Sequence, residues 1–538
     1  MKNIFTKTFL ASACVASLSL TSCIEETIPT DRATADQLAS SSKATEALLW
    51  AMPAFLNNYG TYNSDGDYAY DWGYGSLMHM RDVMTGDMTI VSSGYNWYSS
   101  WSANQSMGPR YVTTYFAWTY YWKAIQTANN LIGTLNPETC NETQLGYLGA
   151  GHAFRALFYL DAARSYEFMP NDKTSPKTDA GNDVTNLTCP IVTDKTTEDD
   201  ARKNPRVTRQ AMYEFILSDL DKAEEYIVNL DEDTKILPHL ASVYGLKARL
   251  YMWVEDYENA AKYARMAIDE GSHTPLTQAQ WLDTSAGFNT IDVKSWMWGS
   301  QMSEEDDVVK SGILNWTSWM SNETTFGYAS AGPYVMITSD LYNKISNDDF
   351  RKLSFKAPET NALSGTEPIL DEELFDALPT YASLKFRPGN GNTEEYKVAA
   401  ACAYPLMRIE EMYFIEAEAK AHSDAGAGMQ LLTSFMKSYR NSNYSYSPSS
   451  QEDAINEIVL QKRIEFFGEG ISFFDYKRLN MSVDRTLSSN VDPSERFKTE
   501  GRPCWMNLTI PTSEFTNNKG LEGYENPDPS DQYTPVVD

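Results

Sequence analysis

Residues 241–270 read ASVYGLKARLYMWVEDYENAAKYARMAIDE, and this stretch settles the architecture. Ala241, Tyr244, Ala248 and Tyr251 recur three or four apart, the spacing of one α-helix face. Asp256 interrupts, and a second run then places Ala260, Ala264 and Ala267 on one face. Small alanines set against larger side chains let two helices approach closely, which predicts a helix pair joined by a short turn. The same period returns on both sides. Between 114 and 135 it runs through Trp118, Tyr121, Ile125, Ala128 and Ile132, and between 145 and 166 through Leu148, Phe154, Phe158 and Ala162. Thr208 reads as the N-cap of a helix carrying Met212, Phe215, Leu220, Ala223 and Ile227. Later helices fit 406–422, 429–439 and 452–467. The last has Ser449 and Glu452 as a capping box and is stopped by Gly468 and Gly470. The expected fold is mostly α, a right-handed scaffold of about four helix pairs.

The 241–270 pair resembles a tetratricopeptide unit, with aromatic residues and leucines on one helix and regularly placed alanines on the next. Two stretches, about 57–112 and 275–400, lack a long helical period. They read as loops, short helices and small strands laid over the scaffold. Trp72, Trp97, Trp101, Trp296, Trp298, Trp316 and Trp319 lie there, seven of thirteen tryptophans. Core burial is the usual fate of any one of them, but a cluster in irregular polar segments is also how a ligand platform is made.

At the N-terminus, Lys2 and Lys7 precede an apolar run from Phe9 to Leu20, a secretory signal too short to span a bilayer. Leu20-Thr21-Ser22-Cys23 resembles a bacterial lipobox, which implies that residues 1–22 are removed and Cys23 carries the lipid. Residues 23–43 are polar and read as a tether, leaving 44–538 as one folded domain. Glu25 and Glu26 look like the acidic signal that sends such lipoproteins to the outer face of the outer membrane. Net charge is −29, and loss of Lys2 and Lys7 makes it −31. That acidity disfavours nucleic acid as a partner. Cys140, Cys189, Cys402 and Cys504 stand far apart with no CxxC, so no metal knuckle is indicated, while one or two disulfides stay open.

No catalytic motif emerges. His79, His152, His239, His273 and His422 stand singly without HExxH, and neither GxSxG nor GxxxxGK[ST] occurs. A glycoside hydrolase needs two carboxylates about 5–9 Å apart, but 73 acidic residues supply endless pairs and so decide nothing. Glu304-Glu305-Asp306-Asp307 offers oxygen ligands for a structural calcium, or is a solvated acidic loop. No cofactor is expected otherwise.

Six motifs then run in order: WKAI (122–125) with ANNLI (128–132), AFRALFYL (153–160), PRVT (205–208) ahead of Asp219-Leu220, YPLMRIEEMY (404–413) with EAEA (416–419), RIEFFGEG (463–470) with FDYKRL (474–479), and IPTSEF (510–515) with Asn517. Together they resemble the SusD/RagB family, the surface nutrient-binding lipoproteins of Bacteroidetes. Ala150-Gly151-His152 and Gln461-Lys462 depart from the commoner family runs. Arg408, Glu410, Glu416, Arg463 and Glu465 lie on otherwise apolar helices and read as charge pairs between helices rather than catalytic groups. The resemblance implies binding without chemistry: capture of an oligosaccharide or polysaccharide, and delivery to a SusC-like TonB-dependent outer-membrane transporter that the protein caps. A peptide-binding member of the family and, further off, a secreted glycoside hydrolase are the alternatives. By position in the family, the expected aromatic arc is Trp97, Tyr98, Trp316, Trp319 and Tyr328, with Asn96, Arg81 and Asp82 as hydrogen-bonding neighbours. Trp72, beside Asp71, stands in reserve.

Overall fold

The computed structural model describes residues 35–62, 68–231 and 233–530. The signal segment, Cys23, Glu25 and Glu26, and most of the tether lie outside them. The principal elements are α1 (Ser42–Leu56), α2 (Tyr74–Val83), β1 (Met88–Ile90), α3 (Val112–Thr134), α4 (Glu142–Tyr166), α5 (Arg209–Tyr226), α6 (Leu240–Trp253) and α7 (Tyr257–Asp269). They continue with β2 (Trp296–Gln301), β3 (Val335–Ile337), β4 (Ala403–Arg408), α8 (Ile409–Ala421), α9 (Ala425–Tyr439), α10 (Gln451–Glu465), α11 (Ser472–Arg478) and α12 (Thr512–Asn517).

The fold is mostly helical, as the periodicity requires. Neighbours pack in succession: α3 on α4, α4 on α5, α6 on α7, α7 on α8 and α8 on α9. Ala260, Ala264 and Ala267 are buried on α7, which packs on both α6 and α8. The caps are local and legible. Thr208 accepts from the Ala211 N–H at 3.3 Å and Asp256 from the Asn259 N–H at 3.1 Å; each satisfies a donor that the first helical turn leaves open.

Two boundaries differ from expectation. Residues 406–408 belong to a strand, not a helix, because Pro405 disfavours a helix through this turn. The run instead pairs antiparallel with β2, Ser300 opposite Tyr404 and Gln301 opposite Ala403. The cap of α10 is Ser450, which accepts from the Asp453 N–H at 3.1 Å; Ser449 donates its hydroxyl to the Asp453 carboxylate at 2.9 Å. Gly468 and Gly470 do end that region, both at positive φ. Gly470 has no room for a Cβ, which would stand 2.7 Å from the Met78 Cα.

The charged motif residues form a buried network that ties the halves of the chain together. The Glu465 carboxylate accepts from Arg440 at 2.7 Å and from Arg351 and Arg408 at 3.1 Å. Burial alone would push its acidity down, but Arg440, Arg408 and Arg351 outweigh that and hold its pKa well below the usual carboxylate range. Arg408 also pairs with Glu469 at 2.9 Å and Glu410 at 3.1 Å. Arg463 reaches Asp87 at 2.5 Å, and Glu416 pairs with Arg265. Ion pairs between separate elements account for all five, although Arg408 sits on strand β4 and its partner Glu469, like Asp87, lies in a loop. Cys140, Cys189, Cys402 and Cys504 are separate free thiols. Among the described residues no helix is long and apolar enough to cross a membrane.

Candidate functional site

The two irregular stretches meet through a small antiparallel ladder, Met88 opposite Ile337 and Ile90 opposite Val335. The Val91 N–H extends it, donating to the Tyr334 carbonyl at 3.0 Å. Beyond β1 the chain must turn, and Asn96 makes the turn: its side-chain oxygen accepts from the Tyr98 N–H at 3.1 Å while the Trp97 N–H donates to the Tyr95 carbonyl at 3.0 Å. Side chains consequently alternate. Asn96 and Tyr98 point inward; Tyr95 (57% exposed) and Trp97 (42% exposed) point out.

Tyr98 anchors the turn. Its hydroxyl accepts from the Trp72 indole N–H at 2.8 Å and lies 2.7 Å from the Ser76 hydroxyl. Its ring meets Trp319 edge-on at 4.9 Å and His79 at 4.4 Å. His79 is fully buried and both ring nitrogens lack a hydrogen-bond partner, so burial lowers its pKa to about 3 and keeps it neutral. Trp319 stacks on Tyr328 at 4.3 Å and 14°, leaving the half-buried Tyr328 as the outer layer. Gly327, at φ +87°, permits this approach: a Cβ would fall 2.8 Å from the Ser318 Cα, and the Ser318 hydroxyl accepts from the Tyr328 N–H at 2.9 Å. Tyr95 lies close enough to Tyr328 to act on its phenol electrostatically.

The nine expected ligand contacts therefore separate. Trp97 and Tyr328 reach solvent. Trp72, Tyr98, Trp316 and Trp319 are core rings: Trp316 stacks on Tyr404 at 4.7 Å, and the Trp319 indole N–H donates to the Ala69 carbonyl at 3.1 Å. Asn96 is a buried turn former. Arg81 and Asp82 are not rim groups, because every residue of α2 is buried. Arg81 pairs with Asp161 at 2.6 Å and lies 4.8 Å over the Phe474 ring. Asp82 accepts from the Gly470 N–H at 2.8 Å, and burial raises its pKa well above normal. Arg81 thus fastens α2 to α4 and α11, and Asp82 fastens it to the turn after α10. An arc built from all nine does not exist in this conformation; the exposed face is Tyr95, Trp97 and Tyr328. Tyr95 was missed, although in a tight turn a residue two positions from an exposed one shares its side. In the acidic loop, Asp306 accepts from the Ser303 N–H at 2.8 Å and Glu305 pairs with Lys310 at 3.2 Å. Among the described residues no three His, Cys, Asp or Glu side chains are grouped to hold a metal.

Comparison with known proteins gives a consistent result. Residues 36–252 match a family model described as starch-binding and associating with the outer membrane, and residues 379–530 match the SusD family model. SusD-like protein P38 of Formosa agariphila is 28% identical over 418 residues, covering 71% of this chain and 75% of that protein. A SusD-like carbohydrate-binding protein of Bacteroides vulgatus superposes with TM-score 0.70 at 21% identity, covering 89% of this chain and 96% of that one. A SusD superfamily protein of Bacteroides thetaiotaomicron gives 0.66 at 20% identity over 92% and 99%. A laminarin-binding SusD-like protein gives 0.61 at 17% identity over 89% and 98%. At these identities the structural likeness concerns the fold.

Proposed function

Given that the chain belongs to the SusD family, we propose that it is a glycan-binding lipoprotein of the outer membrane. It is anchored through Cys23, faces the cell exterior, and hands its ligand to a SusC-like TonB-dependent transporter without altering it. The observation that carries the binding role is the pair of exposed rings, Tyr95 and Trp97, on a turn whose alternate residues, Asn96 and Tyr98, are buried in the core. A sugar ring offers an apolar CH face that lies against an indole or phenol, and its hydroxyls take hydrogen bonds from the rim. Rings held on a rigid support bind without paying much to be ordered. Shallow contacts of this kind gain strength along a repeating polymer through effective concentration. The acidic chain argues against sulfated or uronate-rich ligands. The relatives described as starch-, laminarin- and carbohydrate-binding support a glycan over a peptide.

The test is a glycan array, laminarin and starch fragments included, probed with the mature chain, followed by native gels containing the best ligand. Retarded migration with no reducing sugar released supports the proposal. Release of sugar from the ligand would replace binding by hydrolysis, and peptide capture with no glycan affinity would move the chain to the peptide-binding alternative.

A further inference from the structure

A second concave surface lies on the helical scaffold, and two of the six motifs meet there. One face of α3 forms its floor, residues 190–204 one wall, and α12 with residues 517–521 the other. The cleft measures about 750 Å³, within the roughly 300–1,000 Å³ of small-ligand sites.

Its lining combines an aromatic floor with an amide rim. Trp118 and Trp122 meet edge-to-face at 5.0 Å, Trp118 buried and Trp122 half-buried. Gln126, Asn130 and Asn517 are exposed along the rim. The walls are fixed by polar groups that do not face outward. Asn129 accepts from Arg155 at 2.8 Å and donates to the Val192 carbonyl at 3.1 Å, while Arg155 also reaches Asp194 at 3.1 Å. Asn204 donates to the Ile191 carbonyl at 2.7 Å, and Asn518 to the Asn204 carbonyl at 2.6 Å. The cleft is thus preformed, from residues far apart in the chain.

Its charges are mostly paired, one pair buried and one at the surface. Asp194 is paired with Arg155, and Arg202 with Glu198. Glu514 sits against the Trp118 indole, where burial raises its pKa. Arg202 is the one cation among the lining residues, against Asp194, Glu198 and Glu514, so the lining favours a neutral ligand over an anionic one. Amides, a carboxyl and an indole face are the groups that suit a neutral, hydroxyl-rich molecule with an apolar side. We propose that this cleft is a second carbohydrate site, taking a short neutral oligosaccharide or a chain end. It shares only its ligand class with the function proposed above and no residue with the Tyr95–Trp97 face, so either can fail alone. A chain holding one glycan at both places would gain avidity from the linkage.

The experiment uses the mature chain in detergent, labelled with 5-fluorotryptophan. The Trp118 and Trp122 resonances are assigned by phenylalanine substitution. Maltohexaose, laminarihexaose, cellohexaose and mannohexaose are added at millimolar concentration to the wild type and to a Tyr95→Ala/Trp97→Ala variant. The expected result is a saturable shift at Trp122 with at least one of them, persisting in that variant. Trp122→Ala or the surface change Asn130→Ala should weaken this binding at least about fivefold, while Trp122→Phe restores most of it. No shift at Trp122 with any hexasaccharide overturns the inference, whatever happens at Trp97. So does a shift that vanishes in the Tyr95→Ala/Trp97→Ala variant, which would make Trp122 a reporter of the other face.

Discussion

Replacing His79 by phenylalanine should flatten the pH dependence of stability by an amount the structure fixes. The imidazole is enclosed beneath Tyr98 and Trp319, has no hydrogen-bond partner, and titrates near 3 instead of near 6.5. Between those values the unfolded chain binds a proton that the folded chain refuses. Stability is therefore fully present above the unfolded value and falls with pH below it. From pH 7 to pH 5 the loss from this one group is about 2 kcal/mol, the distance from 6.5 to 5 at roughly 1.4 kcal/mol per unit. Phenylalanine cannot take up the proton. Its slightly larger ring costs about 1–3 kcal/mol if it overpacks, but equally at both pH values. Urea unfolding of both proteins at pH 7 and pH 5 isolates the effect, because the paired carboxylates titrate alike in each. If the two proteins lose the same stability on acidification, His79 is not the enclosed neutral group described here.

Trp97→Ala should reduce glycan affinity by roughly 1–3 kcal/mol and leave stability within about 0.5 kcal/mol. Trp319→Ala should instead cost about 3–5 kcal/mol of stability, the penalty for emptying a core ring; titration calorimetry beside urea unfolding separates the two outcomes. Glu465→Gln removes the one charge shared by Arg351, Arg408 and Arg440 and should destabilise by about 3–5 kcal/mol, seen as a lowered urea midpoint with an unchanged m-value. A colorimetric thiol reagent should modify Cys140 first in the native protein. Cys402 and Cys189, where burial raises the pKa to about 11 and about 12, and the buried Cys504 should react only on unfolding.

The helices were legible because their signals are local. Ala260, Ala264 and Ala267 repeat at helical spacing, and Thr208 and Asp256 cap the residues that follow them. The proposed binding face was only half legible. In 91–100 and 316–328 aromatic residues stand at many positions, so no period says which side is inside. Trp97 and Tyr98 are neighbours with opposite fates, decided by a turn that hangs from a ladder to residues 335–337. Arg81 and Asp82 resembled rim charges because their partners, Asp161 and the Gly470 amide, are remote: the second lies 388 positions away. The same remoteness hid the cleft, whose floor and outer wall come from opposite ends of the chain.

The β1–β3 ladder also bears on the order of assembly. Ile90 and Val335 are separated by nearly half the polypeptide, and contacts of such long range form late because the intervening loop must close first. On a chain that emerges from its N-terminus, Tyr95 and Trp97 cannot take up their supported positions until the middle of the molecule has followed. The indole and phenol faces are thus presented side by side only as the scaffold closes behind them, and a polypeptide still in transit lacks the aromatic face proposed to hold the ligand.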